Sequence, residues 1–312
     1  MSEHQRIVVI GSLNADLVQN VDRLPKLGET IIGGNLDTFS GGKGANQAYA
    51  AGCMGAGVSM IGQVGNDGLG SALLDSLRSA GVSTESVGLS DRPTGAAVIL
   101  VLPDGENVIV IAPGANATVT PEVATERLSI LNKGDYLLVQ LEIPIESVEK
   151  SMAVAKARGA TTILDPAPAQ PLAAELLRHV DFLTPNETET VTLLGEPDLP
   201  MDDDSDVELA AGRLLALGPK TVVLKLGARG CLIVGEQGSH RVPGFKVDAV
   251  DTTAAGDVFN GAFATALAEG GALPEAARFA NAAAALSVTR PGAQNSVPSR
   301  EEVNQFLTEV AD

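Results

Sequence analysis

Short β-rich runs recur along the chain: "RIVVIG" (6–11), "VSMIGQVG" (58–65), "YLLVQL" (136–141), "TTILDP" (161–166), "DFLTPN" (181–186), "TVVLKLG" (221–227) and "GCLIVG" (230–235). Between most of them the apolar positions change to helical spacing, near 43–55, 66–80, 120–131, 145–158, 186–194 and 205–217. Strands alternating with helices predict a mainly parallel sheet covered on both faces. The expected fold class is therefore α/β, a three-layer α/β/α sandwich. From Gly256 to Val310 the pattern is nearly all helical, in three segments. In the first of these, Val258, Phe259, Ala262, Phe263, Ala266 and Leu267 recur at helical spacing. That spacing predicts a helix from about Gly256 to Glu269, stopped by the Gly-Gly pair at 270–271.

Two regions interrupt the alternation. Residues 14–38 carry strand-like pieces around a Pro-Lys-Leu-Gly turn, and residues 95–111 read as a hairpin around "PDGEN". Neither has a helix to cover it, so together they predict a small extra sheet that acts as a lid or lies against another subunit. The expectation is one domain over 1–312 with a β-sheet lid from roughly 14–38 and 95–111. The acidic stretch 196–206 reads as a solvated loop rather than a cation site. There is no internal repeat.

Composition narrows the function. A formal charge of −18 and a pI near 4.5 argue against nucleic acid or an anionic membrane as a general partner. An anionic substrate then needs a local positive site, built from backbone amides and a few chosen cations. Cys53 and Cys231 belong to no CxxC pair, so buried free thiols are expected rather than a disulfide framework or a zinc site. His4, His179 and His240 are the only histidines, little material for a histidine-based triad or metal centre. No signal-peptide pattern precedes Arg6, and the apolar run at 96–102 is far too short to span a bilayer, so a soluble, cytoplasmic protein is expected.

Candidate chemistry gathers where strands end. Neither a P-loop motif nor a dinucleotide-binding glycine fingerprint is present. "GSLNADLV" instead places Asn14 and Asp16 just beyond the first strand, where open α/β sheets bind ligands, although Asn-x-Asp alone also reads as a turn. In "SGGKGANQ", Gly41 and Gly42 allow close backbone approach, and Lys43 and Asn46 offer donors one helical turn apart; a glycine-rich turn capping a helix is the plainer reading. Glu142 ends another strand. Asn186 and Glu189 of "NETE" either cap a helix or hold a hydrated magnesium ion. "KLGARGC" reads as a tight hairpin or as a loop covering a nucleotide. Finally, "DTTAAGD" (251–257) puts small residues between two aspartates at a helix start. Capping needs only one such residue. Bare amides there suit a phosphate, and a carboxylate beside them suits removal of a proton from the group that attacks it.

"NAD", "GGKGAN", "NETE", "KLGARG", "DTTAAGD" and the tail "NAAAALSVTRPGAQNSVP" occur in that order and jointly resemble the ribokinase family of carbohydrate kinases over essentially the whole chain. "NADLV" with "GGKGAN" and "TRPGAQNSVP" is more similar to its ribokinase branch than to adenosine kinases or fructokinases. Ala254 departs from the glycine of many members. The resemblance implies ATP-dependent phosphorylation of D-ribose at the 5-hydroxyl, with magnesium, a potassium-like activator and a homodimer formed through the lid. It leaves open a kinase for 2-deoxyribose or another small sugar, or a non-catalytic sugar-sensing binder. It implies that Asp257 is the base and that the amides of Ala254, Ala255 and Gly256 form an anion hole. Asn14, Asp16, Gly42, Lys43, Gly44, Asn46 and Glu142 would hold the sugar. Asn186, the loop Lys225, Leu226, Gly227, Ala228, Arg229 and Gly230, together with Gly256 and Asn281, would meet ATP. Asp251, Thr253, Ser287, Arg290, Gly292 and Ser296 would surround the monovalent cation, with Glu189 acting indirectly on magnesium.

Overall fold

The computed structural model describes residues 5–310. His4 therefore lies outside the described residues. The amino-terminal half runs β1 (Ile7–Ile10), β2 (Asn14–Asn20), β3 (Leu36–Gly41), α1 (Lys43–Cys53), β4 (Val58–Gly65), α2 (Gly68–Ser79), β5 (Val87–Ser90), β6 (Gly95–Val101) and β7 (Asn107–Ala112). The middle continues with α3 (Pro121–Arg127), β8 (Tyr136–Val139), α4 (Ile145–Arg158), β9 (Thr161–Leu164), α5 (Ala174–Leu177), β10 (Phe182–Leu183), α6 (Glu187–Leu194) and α7 (Asp204–Ala216). The remainder is β11 (Thr221–Lys225), β12 (Gly230–Gly235), β13 (Gly238–Pro243), α8 (Ala255–Ala268), α9 (Leu273–Ser287) and α10 (Arg300–Glu309).

The large sheet has the order β13-β12-β11-β10-β9-β8-β1-β4-β5. It is parallel from β11 through β5, and β12 and β13 add antiparallel at one edge. The period-two rule explains the layers. Ile7 and Val9 join the core under α1, α8 and α9, while Val8 and Ile10 join the core under α3 and α4. All four are buried. Fully burying each such side chain is worth about 1.5–3 kcal/mol, which makes either register slip by one residue costly. The sandwich matches the expected fold class.

Strands pair on from β1 in both directions, to β4 on one side and β8 on the other. Such a reversal opens a crevice at the carboxyl ends of the strands. The four-stranded second sheet, order β3-β2-β6-β7, springs from that same edge, since β2 begins at Asn14 just past β1. Its β6–β7 hairpin falls where "PDGEN" predicts it. The other half differs from expectation: β3 starts only at Leu36, and residues 21–35 make an irregular excursion rather than strand pieces flanking a turn.

Other differences are local. The helix expected at 120–131 is α only to Arg127, then closes in a 3-10 turn at Leu128–Ile130. β5, β13 and α5 carry no clear apolar run and escape the pattern. Cys231 is buried, but Cys53 is only half-buried; both are free thiols. No helix among the described residues is long and apolar enough to cross a membrane.

Candidate functional site

α8 is the pivot of the crevice. It is buried along almost its whole length, and Gly261 lets it press against α1: a Cβ there would lie 2.7 Å from the Gln47 carbonyl oxygen. That close approach brings α1 side chains onto Asp257 in the first turn of α8. Asn46 Nδ2 donates to Asp257 Oδ2 at 3.0 Å, and Gln47 Nε2 donates to Asp257 Oδ1 at 2.9 Å. Asp257 is buried, and burial, opposed by Lys43 and reinforced by Asp165, pushes its carboxyl up to about 6. A carboxylate so placed is charged near neutral pH yet still basic enough to take a proton.

The start of α8 has no side-chain cap. Ala255 N–H donates to the Thr252 carbonyl at a long 3.3 Å, and no acceptor among the described residues meets the N–H groups of Ala254 and Gly256. Ala254 has φ 58°, which makes it the one non-glycine residue with positive φ among those described. That conformation costs an L-residue about 1–2 kcal/mol, which explains why glycine also suits the position. The unpartnered N–H groups belong to residues that line the polar cavity, an arrangement suited to an anion.

On the β1 side, Glu142 organises the opposite wall. Its Oε2 accepts from Ser12 Oγ at 2.5 Å, from Lys43 N–H at 3.1 Å and from Asn14 Nδ2 at 3.4 Å. Asn116 Nδ2 holds Asn14 Oδ1 at 2.7 Å. Gly42, with φ 88°, lies where a Cβ would be 2.6 Å from the Asn14 amide nitrogen, so the loop before α1 folds flat against the start of β2. Gly44 packs in the same way on Gly11 and belongs to the wall's frame. Asp16 stands beside Gly41; burial first, then the charges of Glu142 and Asp257, push its carboxyl to about 6. Lys43 is electrostatically coupled to the same acids. Burial pulls its ammonium down, but Asp257, Asp165, Glu142 and Glu189 outweigh this and raise it, so it stays charged.

Two adjoining cavities meet at the start of α8. One, of about 300 Å³, is polar and lined by Lys43, Asp165, Asn186, Glu189, Lys225 and Asp257 among others. The second, of about 310 Å³, is mostly apolar and includes Ala228, Gly230, Phe245, Phe259, Asn281 and Val288 in its lining. Lys225, Gly227, Thr252, Ala255 and Gly256 line both. An apolar slot opening through bare amides into an acidic, lysine-flanked pocket has the shape and polarity for a nucleoside with its phosphates directed at a second substrate.

Some residues of the nucleotide and cation groups have other neighbours. Arg229 is turned away, donating to Glu187 Oε1 at 2.5 Å and to the Met201 carbonyl at 2.9 Å, and Leu226 is buried in the core. Asn281 reaches the carbonyls of Val242 and Pro243 at 3.4 and 3.3 Å, tying β13 to α9. Asn186 and Glu189 form a reciprocal cap of α6, and both also line the polar cavity. Asp251 gathers its own loop and the 287–296 loop: Oδ1 accepts from Thr253 N–H at 2.9 Å and Oδ2 from Gly292 N–H at 2.8 Å. Ser287 Oγ and Ser296 Oγ donate to the Ala284 and Ala293 carbonyls, and the Arg290 guanidinium pairs with Glu302.

Sequence reasoning passed over Ser12, Gln47, Asn116, Asp165 and Gln294. Asp165 stands just past β9, at the carboxyl edge that drew attention to Asn14 and Glu142, so that signal was available. Gln47 follows Asn46 directly. Nothing local marks Asn116 or Gln294, the latter donating to Asn46 Oδ1 at 3.2 Å from the far end of the chain.

The sequence matches the pfkB family carbohydrate kinase description over residues 4–300. A ribokinase of Haemophilus influenzae is 43% identical over 302 residues, covering 96% of this chain and 98% of that protein. A ribokinase structure from Thermotoga maritima is similar with a TM-score of 0.87 at 43% identity, covering 97% of this chain and 99% of its own. The Arabidopsis thaliana ribokinase complexed with ribose and ATP gives a TM-score of 0.90 at 35% identity, covering 97% and 98% of the two chains.

Proposed function

The chain belongs to the pfkB family of carbohydrate kinases, and we propose that within it this protein uses ATP to phosphorylate D-ribose at the 5-hydroxyl, giving D-ribose 5-phosphate and ADP. The observation that carries this reading is the place of Asp257, a buried carboxylate that lines the polar cavity in the same helical turn as the uncapped amides where the two cavities meet. Asn14, Asp16, Gly42, Lys43, Asn46 and Glu142, framed by Gly44, orient the sugar by its hydroxyls. Adenosine occupies the apolar slot beside Ala228, Gly230 and Asn281, and the phosphates cross the helix start.

The sugar hydroxyl gives its proton to Asp257 as its oxygen bonds to the γ-phosphorus, and the bond from that phosphorus to the bridging oxygen of ADP breaks. Charge building on the phosphoryl oxygens meets the amides of Ala254, Ala255 and Gly256. Positioning and charge stabilisation carry such a reaction, since little covalent work is left to the protein.

Magnesium fits the polar cavity through its donor set. Burial holds the Glu189 carboxyl above its usual range despite Lys225 nearby, so it favours a cation, and Asn186 stands next to it. The hydrated ion would supply shielding of the phosphate charges. A larger monovalent ion, potassium, suits the loops gathered by Asp251, with Thr253, Ser287, Arg290, Gly292 and Ser296 offering oxygens partly through backbone carbonyls. The small sheet serves as a lid over the sugar and, through its exposed apolar strand β7, as the contact of a homodimer. The ATP-dependent chemistry fits a cytoplasmic location.

ADP release measured against a panel of sugars, with and without potassium, tests the reading. Turnover is expected with ribose above 2-deoxyribose and other small sugars. Binding of ribose without turnover of any sugar would make the protein a sugar sensor instead.

A further inference from the structure

Lys225 presents an electrostatic problem. Its side chain is 12% exposed, and its Nζ lies so near the start of α8 that a Cβ built on Gly256 would be 3.3 Å away. The amino end of a helix is itself positive, so an ammonium there is repelled unless an anion joins them. Asp165 answers half of this: its Oδ1 accepts from Lys225 Nζ at 2.9 Å, and the carboxylate is buried. Its other oxygen, Oδ2, accepts from Gln47 Nε2 at 2.8 Å, and that same nitrogen donates to Asp257. Gln47 is fixed in turn by Gln140, whose Nε2 donates to Gln47 Oε1 at 2.5 Å. One continuous chain, Lys225–Asp165–Gln47–Asp257, thus runs from the phosphate side of the helix start to the base. A lysine that lines both cavities marks the passage between them.

We propose that Lys225 is a catalytic residue whose ammonium meets the γ-phosphoryl oxygens in transit, and that Asp165 is the positioning residue that holds it there while tying it, through Gln47, to the base. The proposal rests on the kinase reading of the cavities. It adds a side-chain cation to the amides of the anion hole and assigns a role to Asp165, which belongs to neither the sugar nor the nucleotide group.

The charges around Asp257 make the roles separable. It is faced by Lys43 of α1, Asp16 of β2, Asp165 beyond β9 and Lys225 of β11, with Glu142 and Glu189 further out. Removing the positive Lys225 raises the pH at which Asp257 protonates; removing the negative charge of Asp165 lowers it.

The test is steady-state kinetics against pH, with saturating magnesium, on the unaltered protein, Lys225→Met, Asp165→Asn and the double variant, with melting temperatures for each. Lys225→Met is expected to lower kcat about 100-fold, the scale for loss of an oxyanion donor, with little change in the ribose KM. Its acid limb of kcat/KM moves up in pH, whereas that of Asp165→Asn moves down with a smaller loss of kcat. The double variant recovers thermal stability, because no unpaired buried charge remains, but does not recover kcat. A Lys225→Met kcat within about threefold of the parent, limbs that move in the same direction, or a double variant that recovers kcat would reduce the pair to a structural ion pair and overturn the proposal. An unaltered protein that releases no ADP with ribose would instead remove the kinase reading beneath it.

Discussion

Asn46 Nδ2 lies 3.0 Å from Asp257 Oδ2, a hydrogen bond between residues 211 positions apart in the chain. It joins the glycine-rich segment near one end to the acidic helix start near the other, and so places the wall organised by Glu142 beside a buried carboxylate. Replacing Asp257 by Asn removes the proposed base and sets an amide against two existing donors, Asn46 and Gln47. We expect kcat to fall about 10²–10⁴-fold, the usual worth of a general base, with ribose affinity by calorimetry largely kept. Near-normal turnover in this variant would strip Asp257 of its role.

The protonation of the site sets its pH dependence. Asp257 and Asp16 are each pushed to about 6, and Asp16 feels the charge of Asp257. The base works only when ionised, so kcat/KM should be level above that region and fall as pH drops through about 6. Because the two acids interact, the limb belongs to the pair. Asp16→Asn removes a negative neighbour and should move the limb to lower pH. A profile flat down to pH 4.5 would contradict the burial argument for both.

Asp16 also bears on affinity. Its carboxylate, half-buried beside Gly41, can accept from two neighbouring hydroxyls. Asp16→Ala should weaken ribose binding by about 1.5–3 kcal/mol, the scale of a hydrogen bond to a charged group, or about ten- to a hundred-fold in Kd. Calorimetry that finds the same Kd in the variant would take Asp16 out of the sugar site.

Burial alone would raise the Asp251 carboxyl, but the amides of Gly292 and Thr253 overcome it and hold the group below its usual range. It therefore stays charged at any working pH, as a cation partner must. Turnover is expected to rise when potassium replaces sodium or a bulky organic cation at constant ionic strength, and Asp251→Ala should abolish that response. Equal rates in all three salts, with magnesium saturating, would leave Asp251 as a loop clasp.

Strand β7 exposes Val108, Ile109, Val110 and Ile111 together, with Val110 at 64% and Ile109 at 52%. A bare apolar sheet edge of this kind calls for a cover. Sedimentation should find a dimer, and Ile109→Lys should shift it to monomer by placing a charge in the contact. A monomeric unaltered protein would refute the dimer.

How far these features can be read without coordinates depends on the range of the forces behind them. Val258, Phe259, Ala262 and Phe263 declare α8 because helical periodicity is a local property, and "DTTAAGD" declares its bare start because capping is decided within a few residues. The alternation of buried runs and helical stretches likewise specifies a parallel, doubly covered sheet. The strands it missed are those with little to bury: β13, "GSHRVP", is mostly exposed at an edge, and β5 spans only Val87–Ser90 at the other. What the tertiary structure alone decided is which polar groups face one another. Gln47 and Asp165 look like ordinary helix and strand-end residues until Gly261 allows α1 and α8 to touch and the sheet order brings β9 and β11 beside them. The αL turn at Ala254 was also hidden, since alanine gives no local sign of positive φ, and such a conformation persists only where the surrounding structure fixes it. Local chemistry writes the elements into the sequence, while hydrogen bonds across 60 to 248 residues depend on burial, which exists only once the chain has folded.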